Sequence, residues 1–195
     1  MENQAPLRQE ESLRIIQQMI ETSKNSLRDD GTLYLLWGWL VFLSSIGHYA
    51  LMAHTSYAHP YMVWLSMPLA GIFTGIYVAR MSRKARVRTL VDEFMMYLWT
   101  AFIISMISLM WLMPKIGYAK TFPLVMILYA IGTFVSGGAL RFKPLMVGGA
   151  LNWAIALFAF YRPFQEQLLL LALAVACSYI IPGHWLKITH KKQHV

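Results

Sequence analysis

The residues of this sequence that could do chemistry are few, and they are set singly into long apolar stretches. Ser44, Ser45 and His48 crowd one stretch, Ser105 and Ser108 stand in another, and Asn152 is central in a third. Hydroxyls, an imidazole and an amide offer hydrogen-bond donors and acceptors rather than fixed charge. An amide left unpaired in hydrocarbon costs several kcal/mol, so Asn152 requires a partner. Two uses fit such a set. The six side chains can bond between helices and fix their packing, or they can line a small ligand-binding cavity between the first, third and fifth apolar segments.

Other chemistries find less support. The six histidines divide into His48, His54 and His59 near one end of the apolar segments and His184, His190 and His194 near the other. A metal site needs convergent ligands, and a bis-histidine haem needs two at matching depth on facing helices. Neither group has a cysteine or carboxylate beside it, so no metal and no cofactor is expected, the first trio being the better placed. Cys177 is the one cysteine, which excludes a disulfide within the chain. No carboxylate lies mid-segment, which argues against proton coupling. Asp92 and Glu93 stand where the third segment begins, and the helix dipole with Arg86 or Arg88 accounts for them. No H-E-x-x-H, G-x-S-x-G or P-loop pattern is present, and no enzymatic activity is expected.

The elements that must position these residues are membrane spans. Of the 195 residues 57% are hydrophobic and 13% charged, with a mean hydropathy of +0.48. The charges gather in the first thirty residues, in short spacers and at the C-terminus. That distribution belongs to a chain for which lipid is the main solvent. The expected fold is an all-α membrane protein, a six-transmembrane-helix bundle with spans near 33–52, 61–79, 94–113, 121–140, 145–161 and 167–181. Pro68 is the expected kink point of the second span, and Pro182-Gly183 the expected end of the sixth. Residues 1–30 form a cytoplasmic amphipathic helix, 31–186 the membrane domain and 187–195 a basic tail. In the first of these, Leu13, Ile16, Ile20 and Leu27 recur at helical spacing between Glu10 and Arg28, and Asp30 can cap the next helix. That helix carries too few basic residues for a headgroup-bound one and suits either pairing through residues 10–28 with a protein partner or another copy of itself, or packing under the bundle.

Of the 17 lysines and arginines, only Lys115, Lys120 and Arg162 fall in the loops on the side opposite the N-terminus. The positive-inside rule therefore places both termini in the cytoplasm. The basic residues border apolar segments instead of covering one face, so the net charge of +8 reads as topology control and headgroup attraction, with no nucleic-acid partner expected.

Small residues four apart let helices approach closely. Gly71, Gly75 and Ala79 make the strongest such strip, read first as packing within one bundle and second as a homodimer seam. Ala150/Ala154, Ala174/Ser178 and Ser136-Gly137-Gly138 are lesser ones. Tyr57, Tyr61, Trp64 and Trp185 suit the interfaces, whereas Trp37, Trp39 and Trp99 are expected between helices. Leu36-Trp37 echoes Leu98-Trp99 about sixty residues on, and Gly71, Phe73 and Arg80 echo Gly132, Phe134 and Arg141, which would make three helical hairpins.

The run Tyr34-Leu35-Leu36-Trp37-Gly38-Trp39, with the amphipathic helix before it, resembles a family of uncharacterised small bacterial multi-pass inner-membrane proteins, most clearly from Glu11 to His48. The resemblance implies an inner-membrane address and brings no activity or site residue. The functional expectation is a non-enzymatic membrane scaffold or regulatory subunit. The alternative is a small transporter or ligand-binding receptor using the patch around Ser44, His48 and Asn152.

Overall fold

The computed structural model describes residues 31–84 and 90–192. The amphipathic helix expected over Glu10–Arg28, the cap at Asp30, and Arg86 and Arg88 lie outside the described residues. Apart from short connections the described residues are helical, without strands. Helix α1 covers Thr32–His54, a 3₁₀ segment Pro60–Leu65 leads into α2 (Ser66–Lys84), and α3 covers Leu90–Ile116. Then come α4 (Tyr118–Ala139), α5 (Lys143–Ala159) and α6 (Phe164–Val175). Helix α6 passes through a π-helical turn, Ala176–Ile180, into α7 (Ile181–Lys192).

Five of these segments are long and apolar enough to cross a membrane: Thr32–His54, Pro60–Met81, Leu90–Ile116, Tyr118–Ala139 and Phe164–Ile188. The sixth, Lys143–Ala159, is apolar but only 17 residues long, at the short end of what spans hydrocarbon. The chain is thus an all-α membrane bundle. Arg80, Arg141, Lys143 and Lys187 lie at the end where α1 begins, and Lys115, Lys120 and Arg162 at the end where it finishes.

The core is built by α1, α4, α5 and α6, with Val41, Met126, Leu145, Leu171 and Val175 buried within it. Expected hairpins α3/α4 and α5/α6 do pack, but the most extensive contact joins α4 to α5, while α2 touches α1 only lightly. The reason is glycine. A Cβ at Gly149 would lie 2.8 Å from the Phe134 backbone nitrogen, and one at Gly137 2.7 Å from that of Met146. The turn between them is a Schellman motif, with Phe142 N–H bonding the Gly137 carbonyl at 2.8 Å and Arg141 N–H that of Gly138 at 3.1 Å. Arg141 takes the left-handed position with φ 52°, where a non-glycine residue costs about 1 kcal/mol.

Two expectations about proline change. Pro68 falls in the first turn of α2, just past the passage from 3₁₀ to α winding. Its ring would clash with the Trp64 carbonyl in a continuous α-helix, and the change of winding there replaces a mid-span kink. Pro182 does not end the last span. The π turn before it widens the helix where the Ser178 carbonyl could have no N–H partner from Pro182, and the helix continues to Lys192.

Candidate functional site

Near the C-terminal end of α1 the structure gathers three of the polar residues singled out above. Ser44, Ser45 and His48 occupy one face of α1 at spacings of one, three and four residues, and all are buried. His48 Nδ1 accepts a hydrogen bond of 2.9 Å from the indole N–H of Trp64 in the 3₁₀ segment. That bond requires an unprotonated Nδ1 and so fixes the imidazole in its Nε2–H form. Ser44 Oγ and Ser66 Oγ stand 3.4 Å apart, and Ser66 donates to the Val63 carbonyl at 2.8 Å. Ser45 turns the other way and donates to the Leu168 carbonyl of α6 at 2.7 Å. Around them His48, Trp64, Phe122 and Phe164 form a closed circuit of ring contacts, with centroids 6.4, 5.8, 5.0 and 5.7 Å apart in turn. The circuit ties α1, the 3₁₀ segment, α4 and α6 together at this end.

A residue that sequence reasoning missed lies close by. Gln167, fully buried, points its Nε2 at three backbone carbonyls: Ala119 at 2.9 Å, Ala159 at 3.1 Å and Arg162 at 3.0 Å. Pro123 explains the first. Having no N–H, it leaves the Ala119 carbonyl without its intrahelical donor, and Gln167 supplies one from across the bundle. With three acceptors facing it, the amide must present its NH₂ there, and its Oε1 is left without a partner among the described residues. The signal in the sequence was a proline inside an apolar span, which calls for a donor on a neighbouring one.

The remaining candidates do not join this patch. Asn152, fully buried, faces Ser178 instead, with Nδ2 to Oγ at 3.4 Å, while Ser178 donates to the Ala174 carbonyl at 2.7 Å. Ser108 is exposed and bonds the Ile104 carbonyl of its own helix at 2.8 Å. Ser105 is half-buried on α3, which buries none of its residues fully. The six residues are therefore divided among the α1/3₁₀ contact, the α1/α6 contact, the α5/π-turn contact and the surface of α3. Among the described residues no group of three His, Cys, Asp or Glu side chains could hold a metal ion, and His59 pairs with the Tyr61 hydroxyl at 3.0 Å.

The packing strips also move. Gly71, Gly75 and Ala79 are exposed, and a Cβ built at either glycine meets nothing within 4 Å, so they pack against no described part of their own chain. Ala150 and Ala154 are exposed as well. The buried face of α5 runs through Gly148, Gly149, Asn152 and Ala156, and a Cβ at Gly148 would lie 2.8 Å from the Cys177 carbonyl. Ala174 and Ser178 are buried, and Gly137 is in tight contact. Trp37 donates to Thr74 of α2 at 3.2 Å, and Trp99 packs on Tyr34. Trp39, by contrast, faces outward, 44% exposed.

A second circuit of rings closes the bundle toward the start of α1. Tyr34, Trp99, Phe102, Tyr129 and Tyr179 follow one another at centroid distances of 6.3, 5.2, 5.1, 5.6 and 5.7 Å. Gly38 lets the π turn reach α1 there, since a Cβ would lie 2.9 Å from that of Tyr179. Both circuits consist of edge-on and tilted contacts, the geometry by which aromatic rings stabilise a packed interior. No protein-family model matches the chain, nor does any curated protein or solved structure.

Proposed function

We propose that this protein is a non-enzymatic membrane scaffold or regulatory subunit, acting through association with another membrane chain. One observation carries the reading. The spans Pro60–Met81 and Leu90–Ile116 bury none of their apolar windows within the chain, whereas the other three bury 28 to 56% of theirs. Leu69 and Trp111 are 70% and 84% exposed on these two helices. Lipid can cover such faces, but α2 also carries the small-residue strip, whose flatness is an advantage only when another helix lies on it. Residues 10–28 would extend the association outside the bilayer. The basic residues at the end where α1 begins favour a cytoplasmic location for that end, and the resemblance of residues 11–48 favours a bacterial inner membrane.

The experiment is cysteine cross-linking in native membranes. A Gly75→Cys chain with Cys177→Ser should form a cross-linked adduct, and deleting residues 1–28 should lower its yield without affecting insertion. A Gly75→Cys chain that reacts freely with a lipid-soluble maleimide and never cross-links would sink the proposal. The alternative, a transporter or receptor built on the polar patch, is less supported, because the patch residues are divided among separate contacts.

A further inference from the structure

One face of α1 carries a shallow, open depression where α7 passes it. Leu35, Leu36, Leu40 and Leu43 recur there at helical spacing, and with Thr32 and Trp39 they line an open groove of about 470 Å³. The one lining residue from another helix is Lys187 of α7, which brings an ammonium to an otherwise almost wholly apolar surface. Two glycines set the contact from which the groove opens. Gly31 has φ +75°, and a Cβ on it would lie 2.7 Å from the Gly183 carbonyl. One on Gly183 would lie 3.1 Å from Leu35. The π turn carries α7 to this point.

The dimensions are those of one leaflet. From Thr32 to Leu43 the helix rises about 16 Å at 1.5 Å per residue. Half of a hydrocarbon core of about 30 Å is about 15 Å. The groove therefore runs from one membrane interface to near the midplane, with Lys187 at the interface end. Among the described residues Lys187 has no ion pair and no hydrogen bond to its ammonium. The chain's own residues 10–28 are a poorer occupant, because Glu11, Arg14, Gln17, Gln18 and Lys24 would have to enter hydrocarbon.

We propose that this groove holds one acyl chain of an anionic glycerophospholipid, with the headgroup phosphate on Lys187. The leucines and Trp39 supply the apolar contact, and the ammonium selects an anionic headgroup over a zwitterionic one of the same chain length.

The test is native mass spectrometry of the full chain in detergent, offered dioleoyl-phosphatidylglycerol or dioleoyl-phosphatidylcholine. The wild-type chain should retain the anionic lipid about fivefold better, the factor expected of one interfacial lysine. Lys187→Gln should erase that preference and Lys187→Arg keep it. Lys187 is exposed, so neither variant should disturb folding. In a Cys177→Ser chain, a photo-crosslinker attached through Leu40→Cys should yield a lipid adduct. Equal retention of both lipids by the wild type, or a preference untouched by Lys187→Gln, would overturn the proposal. So would a cross-link from position 40 to residues 10–28.

Discussion

Replacing Gly149 by alanine should loosen the contact on which the bundle is built. The added carbon would lie 2.8 Å from the backbone nitrogen of Phe134 and 2.9 Å from its Cα and Cβ. Ordinary contacts fall near 3.5–4.0 Å, so α4 and α5 must part locally by roughly 0.6–1 Å. Since the atoms met are mostly backbone, no rotamer change relieves the overlap. A gap of that size forfeits about a quarter to a half of the dispersion well for the atoms left facing it, and overpacking of this kind costs about 1–3 kcal/mol. Alanine recovers about 0.5–1 kcal/mol through helix propensity. Gly138→Ala is the control, because a Cβ there meets nothing within 4 Å, and it lies outside the α2 strip that association would cover. Much of the propensity gain is common to the two variants, so their difference reports mainly packing. Gly149→Ala should therefore be about 1–3 kcal/mol less stable than Gly138→Ala in reversible unfolding by SDS titration in mixed micelles. Equal stability to within about 0.5 kcal/mol would refute the claim that glycine sets the α4–α5 distance.

Three further predictions concern the buried polar groups. Gln167→Leu removes the donor shared by three carbonyls, and at about 0.6–1.7 kcal/mol per hydrogen bond for two N–H groups it should cost about 1–3 kcal/mol; a neutral result in the same titration would show that water serves these carbonyls. His48→Phe and Trp64→Phe each break the 2.9 Å bond and should each cost about 1 kcal/mol. The double variant should cost less than the sum, and strict additivity would mean the bond contributes nothing. Asn152→Leu keeps the number of side-chain heavy atoms and removes an amide whose Oδ1 has no partner among the described residues, so relief of about 1–3 kcal/mol offsets a similar overpacking cost. Stability should then stay within about 1 kcal/mol, and failure to fold would show that Asn152 makes a bond essential to the bundle.

The all-α membrane bundle was legible because about twenty apolar residues between charged or turn residues admit little else. The faces of the helices were not. In a soluble bundle the buried face is the apolar one, but here lipid and core are equally apolar, and the pattern that marks burial disappears. On α5 the reading chose Ala150/Ala154 where the chain packs through Gly148, Gly149 and Asn152. That difference of one or two residues is a turn of about 100–200° around the helix. The same blindness made Gly71 and Gly75 look like interior packing when both face outward. Ser44, Ser45 and His48 share one buried face of α1, since spacing along one helix survives any choice of face. Asn152 was joined to them only by depth, and depth does not say which neighbour a residue meets.

The irregular points of the helices decide what the interior polar residues are for. Pro123 frees the Ala119 carbonyl, and Gln167 answers it; Pro182 withholds a donor from Ser178, and the π turn absorbs the change. Ser45, Thr133 and Ser178 each donate to a carbonyl of the helices they pack in or against. In hydrocarbon these groups have no water to fall back on, so each hydroxyl proton goes to a backbone carbonyl, while the oxygen keeps its acceptor capacity, which on Ser178 faces the Asn152 amide. Among the described residues, the buried polar atoms left without a partner include Asn152 Oδ1, Ser136 Oγ and Gln167 Oε1, which belong to three different helices. Much of the interior polarity of the described residues thus goes to the chain's own backbone. The exterior offers two features beyond a uniform apolar coat: the exposed faces of α2 and α3, and the groove beside α1 with Lys187 at its mouth.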